Sequence, residues 1–318
     1  MNYQQWSKEW MANYVKPSVK ERTYLRYANV LRCQILPSLG EIELDDISPL
    51  LVQRFITKIT ERGNCLTGEK LSANSVNVAI SVLKNSLKSA YDVGIIDHYL
   101  DNRLKRPKRE ERKVECFSIR DQHLLEEGAL KGKRKYIGVI VCLYTGLRLG
   151  EVLALKWSDV NLKRRQISIN RTCYDVFVCG KNERVEHSAK TASSNRVIPI
   201  PPFLRELLKE YRKNGTSEYV VEDKGKIVGL RSYQHSFELL QHKCGVEYKN
   251  FHALRHTFAT RAIECGMDVK TLSEILGHKN STVTLNRYVH SLSTYKRSMM
   301  NKVGKLFAGS RSGFCEFK

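Results

Sequence analysis

Apolar residues recur at helical spacing through the first hundred positions. Val76, Ile80, Val82, Leu83 and Leu87 gather on one side when residues 72–92 are wound at helical pitch, and Gly94 stands where such a helix stops. Ser48-Pro49 supplies a cap and a first-turn proline for another helix, with Gly63 past its end. Ser18-Val-Lys-Glu21 has the spacing of a capping box and predicts a helix that the Pro37-Ser-Leu-Gly40 turn ends. With a short helix around residues 6–14, this predicts a helical domain over residues 1–102. Beyond residue 113 the pattern changes. Ser118 caps a helix expected to stop at Gly128, and the apolar run from Tyr136 to Tyr144 reads as a buried helix. Gln166-Ile-Ser-Ile-Asn170 alternates and Arg196-Val-Ile-Pro-Ile200 is rich in β-branched residues, which predicts a small antiparallel sheet. Helices return from Pro201, one of them over residues 251–264. The expected fold class is mainly α with a small antiparallel β-sheet: a helical domain, then an α+β domain.

Composition adds a partner to this outline. The 318 residues, 42% of them apolar, suffice for two hydrophobic cores. A net charge of +21 points to a polyanion. The charge is uneven, +5 over residues 1–108 and +16 over residues 109–318. Between the domains lies a basic linker, residues 103–113, carrying Arg103, Lys105, Arg106, Lys108, Arg109, Arg112 and Lys113 around Pro107. It reads equally as a solvated connector or as a strap laid on phosphates. The longest apolar run, Tyr136 to Leu147, is too short to span a bilayer, and the amino terminus has no apolar signal core, so a cytoplasmic location is expected. Nine scattered cysteines without Cys-x-x-Cys spacing read as reduced thiols. His235, His242 and Cys244 do not complete a zinc shell, and neither metal nor cofactor is expected.

The chemistry concentrates in Asn250-Phe-His-Ala-Leu-Arg-His-Thr-Phe-Ala-Thr260, in Leu276-Gly-His278, and in Tyr288 ten residues on. Displacement at a phosphodiester builds negative charge on the equatorial oxygens, for which fixed guanidinium forks are suited. Arg255 and Arg148, the latter framed by glycines in Thr145-Gly-Leu-Arg-Leu-Gly-Glu151, are the candidate clamps. His252 and Arg255, three apart on one helix, point the same way. Tyr288 supplies the nucleophile. With an ordinary pKa of about 10 it needs a proton acceptor, which His252 can be, while His278 donates to a phosphate oxygen. Lys190, placed on a hairpin ahead of the last strand, can protonate the leaving sugar oxygen. His252 and Lys190 could also share the acid and base work.

These ordered motifs, with Lys190-Thr191 between them, resemble those of the tyrosine recombinase, or phage integrase, family. The resemblance is strong over residues 118–290 and weaker over the helical domain, which is similar to the family's core-site-binding domain. It implies a catalytic domain over residues 114–290 and a C-shaped clamp on duplex DNA. Tyr288 would become linked to a DNA 3′-phosphate and release a 5′-hydroxyl that later attacks a partner strand, without metal or ATP. Glu151 matches a position that buttresses the site. Residues 291–318 resemble a tail whose helix docks on a neighbouring protomer. A monomer free in solution and a homotetramer on two DNA sites are implied, with room for accessory DNA-bending or directionality factors in a prokaryotic cell. The chain begins almost directly at the core-binding helices, without the arm-binding domain of many integrases. That fits a simple recombinase of the Xer type, a small transposon integrase, or a truncated piece. Xer-like dimer resolution, a type IB topoisomerase, which shares the tyrosine chemistry, and a non-cleaving DNA-binding protein are the alternatives.

Overall fold

The computed structural model describes residues 1–99, 104–108, 115–178, 181–188, 195–215, 217–278 and 292–309. The chain divides into two units, Met1–Arg112 and Lys113–Lys318.

The first unit is helical. Helix α1 begins at Tyr3–Trp10 and continues through a π-helical segment, Met11–Val15, into Lys16–Ser18. Helix α2 repeats the device, running from Glu21–Val30 through Leu31–Ile35 into Leu36–Leu39. In both, a proline (Pro17, Pro37) lies two residues beyond the π segment. Proline lacks an N–H and its ring presses on the carbonyl four residues back, so it usually kinks or ends a helix. Here the wider turn shifts the ladder to five-residue bonds, Lys16 N to Met11 O and Leu36 N to Leu31 O, and the helices continue. The helix thus ends within the Pro37-Ser-Leu-Gly40 segment, as expected, but that segment is helical as far as Leu39 rather than a turn from Pro37. Ser18 also differs from expectation. Its hydroxyl donates backwards to the Val15 carbonyl, closing α1, while α2 is capped at Lys20 without a side-chain bond.

Helix α3 (Pro49–Glu61) starts at the expected cap, Ser48, and helix α4 (Ala73–Asp92) is capped by Ser72, the first residue of its expected range. The core joins Trp6, Trp10, Ile35, Phe55, Ile59, Ile80 and Leu83. Both indole N–H groups find acceptors on α4, Trp6 at Ser86 O (3.1 Å) and Trp10 at Ser89 Oγ (3.0 Å), so the large rings are buried without an orphaned donor. Residues 104–108 of the basic segment lie on this unit. Leu104 packs against the core, Gln53 exchanges two hydrogen bonds with the Lys105 backbone, and Asn77 Nδ2 donates to Pro107 O at 3.1 Å. Lys105, Arg106 and Lys108 remain exposed; Arg103, Arg109, Arg112 and Lys113 lie outside the described residues.

The second unit contains α5 (Ile119–Lys131), α6 (Ile137–Thr145), α7 (Leu149–Leu153), α8 (Pro202–Lys213), α9 (Leu230–Lys243), α10 (His252–Glu264), α11 (Val269–Leu276) and α12 (Leu292–Gly309). Gly128 does not stop α5 but sits inside it, because a Cβ there would collide with Cys244 Sγ just past α9. Strands β1 (Val160–Asn161), β2 (Gln166–Ile169) and β5 (Arg196–Pro199) form an antiparallel sheet in the order β1-β2-β5, with Ile167 opposite Ile198. Strands β3 (Arg171–Val178) and β4 (Lys181–Ser188) form a separate antiparallel pair, which the sequence pattern had not announced, and β6 (Glu222–Asp223) and β7 (Lys226–Ile227) a third. Helix α10 buries residues on most of its circumference. Ala253 and Leu254 join the main core, whereas Ala259, Ala262 and Ile263 pack on Leu272 and Leu276 of α11. A helix held on both sides is a rigid place for chemistry.

Candidate active site

Arg148, His252, Arg255 and His278 lie among the described residues; Lys190 and Tyr288 lie outside them. Arg148 and Arg255 are far apart in sequence, yet both reach the C-terminal end of α11. The reason is local. Gly277 takes up left-handed backbone (φ 64°, ψ 49°), its N–H donating to Glu274 O and the N–H of His278 to Ser273 O, both at 3.0 Å. This is the Schellman turn that glycine permits, and it folds His278 back towards the helix end. Gly277→Ala is expected to cost about 1–2 kcal/mol of unfolding free energy. Urea denaturation checks this, and parental stability would mean that the turn does not depend on glycine.

The turn leaves three consecutive carbonyls at the helix end, and a different arginine caps each of them. Arg196 Nε donates to Ile275 O (2.6 Å), Arg255 Nη2 to Leu276 O (2.8 Å) and Arg148 Nη2 to Gly277 O (3.2 Å). A helix C-terminus carries about half a negative charge, which offsets part of the repulsion among the guanidinium groups. Glu151 offsets more. Its carboxylate accepts from Arg148 N and Arg148 Nη1, both at 2.9 Å, and from Arg196 Nη1 (3.2 Å) and Nη2 (2.8 Å). Burial alone would raise the Glu151 carboxyl, but the bonds from Arg196 and then Arg148 hold it below the usual carboxylate range.

The arginines differ in access. Arg255 is 1% exposed and also donates Nη1 to Gly146 O at 2.8 Å, which ties α10 to the end of α6. Burial, then the charge of Arg148, pushes its pKa down to about 10, so it stays charged at neutral pH. The side chain of Arg148 is 40% exposed, so of the two arginines it is the one that solvent reaches. Arg255 Nη2 also meets His278 Nε2 at 2.8 Å. A guanidinium can only donate, so this ring nitrogen accepts and the ring's donor is Nδ1–H. His252 is exposed at the start of α10, one turn before Arg255, with its ring edge-on to His256 at 4.5 Å between centroids.

Arg148, Glu151, Arg255 and His278 are thus brought into one bonded cluster, and His252 shares a helix with Arg255. Sequence reasoning missed Arg196. The period of a strand could have found it, since residues 196, 198 and 200 share a face and Ile198 and Ile200 are buried. A charge on an inward face calls for a carboxylate partner, and Glu151 is that partner. Two guanidinium groups, an imidazole N–H and an exposed imidazole match the needs of phosphoryl transfer. Among the described residues no group of three or more His, Cys, Asp or Glu side chains could hold a metal ion, and no helix is long and apolar enough to cross a membrane.

Comparison with known proteins points the same way. Residues 121–294 match the phage integrase family, and residues 2–60 match the N-terminal SAM-like domain of phage integrases. A tyrosine recombinase XerC-like protein of Caldanaerobacter subterraneus subsp. tengcongensis is 28% identical, over 94% of this chain and 81% of that protein. The fold is similar to the Tn1549 transposon integrase solved with a circular intermediate DNA (TM-score 0.78, 22% identity, 95% of this chain and 99% of that one). It is also similar to lambda integrase solved as a tetramer bound to a Holliday junction (TM-score 0.67, 16% identity, 90% of this chain and 77% of that one).

Proposed function

The chain belongs to the phage integrase family, and from that premise we propose that it cleaves and rejoins DNA strands through Tyr288, integrating or excising a mobile element in the cytoplasm of a prokaryotic cell. The observation that carries this reading is the convergence of Arg148, Arg255 and His278 on the end of α11. Arg148 and Arg255 hold the scissile phosphate and stabilise the charge that develops on it. Tyr288 Oη attacks phosphorus, its proton passing to His252, and the bond to the sugar 5′-oxygen breaks as Lys190 protonates that oxygen. His278 Nδ1–H donates to a phosphate oxygen. The product is a 3′-phosphotyrosyl link and a free 5′-hydroxyl. Attack by a partner strand's 5′-hydroxyl reverses the same steps, so the bond energy is retained and no nucleotide is consumed.

Recombination needs several protomers, whereas a topoisomerase acts alone. Met300, Val303, Leu306 and Phe307 form an apolar stripe along α12 and are 69%, 43%, 71% and 63% exposed, which supports docking on a second protomer and assembly of a homotetramer on two DNA sites.

Lys105, Arg106 and Lys108 face outwards from a backbone pinned by Gln53 and Asn77, and together with Arg103, Arg109, Arg112 and Lys113 they bind DNA phosphates. Duplex affinity is therefore expected to fall steeply with salt, with a log–log slope of about −0.9 per phosphate neutralised. Titrations at several salt concentrations measure it, and a flat response would exclude a basic clamp. The function itself is tested with nicked suicide duplexes from the flanks of the gene encoding the chain. The expected result is a covalent protein–DNA adduct on a 3′-phosphate at a single tyrosine. Non-covalent binding alone would leave a DNA-binding protein that cuts nothing.

A further inference from the structure

We propose that Arg196 is a positioning residue for strand cleavage, holding Glu151 and the end of α11 in the one arrangement in which Arg148 and His278 serve the same phosphate. The inference rests on the recombinase reading above and assigns a role to a side chain outside the expected set of site residues.

Arg196 lies on β5, yet its guanidinium bonds two other elements. Nε donates to Ile275 O on α11, and Nη1 and Nη2 donate to both oxygens of Glu151 on α7. Glu151 in turn holds Arg148, and Arg148 returns to α11 at Gly277 O. The contacts close a ring: α11, Arg196, Glu151, Arg148, α11. Removing Arg148 opens the ring on the side that faces solvent, and removing Arg196 opens it on the buried side. The Arg196 side chain is only 8% exposed, and its fork is turned into Glu151 and α11, so it acts through them. Lysine cannot substitute. A single ammonium lacks the planar fork that grips two carboxylate oxygens while a third N–H reaches a carbonyl on another helix.

Arg196 also sets the charge of Glu151. The titratable groups around that carboxylate are Arg148 just before α7, Arg196 on β5, Arg255 on α10 and Cys142 on α6. Among them Arg196 contributes the bond that most opposes the cost of burial. Without it the Glu151 carboxyl takes up a proton at higher pH, lets go of the Arg148 backbone and side chain, and frees the clamp to swing.

The test compares Arg196→Lys, Arg196→Met and the double variant Arg196→Met/Glu151→Gln with the unmodified chain. Four quantities are measured: melting temperature, duplex affinity, single-turnover adduct formation on the suicide duplex, and the pH dependence of that rate. Both single variants are expected to bind duplex within about twofold of the parent and to form adduct about 10- to 100-fold more slowly, the range seen when a supporting partner of a site residue is removed. The acid limb of their rate profile moves to higher pH, and in the double variant, which has no carboxyl at position 151 to titrate, that shift is absent and only the limb set by His252 remains. A purely structural role would move none of these limbs. Arg196→Lys cleaving at the parental rate with the parental profile overturns the proposal, and so does a rate loss matched by lost DNA binding or by the unfolded fraction. If Arg196→Met does not fold, Arg196→Lys decides. An unmodified chain that forms no adduct overturns the recombinase reading and this inference together, whereas normal cleavage by both the parent and Arg196→Lys sinks the inference alone.

Discussion

Tyr288→Phe is expected to abolish the covalent protein–DNA adduct while leaving duplex affinity and its salt dependence unchanged. The substitution deletes one oxygen and keeps the ring, so the charged groups that grip phosphates are untouched. Loss of the nucleophile removes the chemical step itself, because the arginine clamps then have no attacking atom to stabilise. The measurement is adduct yield on a nicked suicide duplex beside a binding titration on the intact one. An adduct that persists would move the nucleophile to another tyrosine, Tyr295 being the first to test. Loss of binding along with the adduct would mean that Tyr288 serves the fold.

Arg148→Ala and Arg255→Ala should both reduce cleavage by about a hundredfold or more, the scale of losing one donor to a developing oxyanion, but they should differ in stability. Arg148 is partly exposed and its alanine variant should melt close to the parent. Arg255 is buried, and removing it strands the Gly146 and Leu276 carbonyls, at about 1–3 kcal/mol for each acceptor left unsatisfied. Arg255→Ala should therefore lower the melting temperature markedly as well as the rate. Equal stability losses for the two would show that the bonds of Arg255 across α6, α10 and α11 do not hold the site together.

What was legible in the sequence followed from local rules. A serine cap marked the starts of α3 and α5, and helical apolar spacing marked α4. Spacing alone put His252 and Arg255 on one helix. The misreadings arose where distant neighbours override a local signal. Pro37-Ser-Leu-Gly40 reads as a turn although a π segment carries the helix through it to Leu39, and Gly128 reads as a stop although Cys244, just past α9, demands its small size. The β3–β4 pair went unseen because Asp175, Arg184 and Glu186 interrupt its apolar alternation. Asp175 there accepts from Leu230 N and Arg231 N at the start of α9, and Arg184 bonds Leu153 O and Val228 O. Arg196 was missed for the same reason. Its partners, Glu151 and Ile275, lie on elements that meet β5 only in three dimensions.

The capping of α11 has a consequence for how the site can vary. The acceptors for Arg148, Arg196 and Arg255 are main-chain oxygens, which every residue type supplies. Substitution at position 275 or 276 can disturb packing but cannot delete the oxygen. Drift on the receiving side is limited by volume alone, while the donors admit no replacement for a planar cation. Homologous chains should therefore keep the three arginines and the glycine, and exchange the two aliphatic residues within the limits of the core.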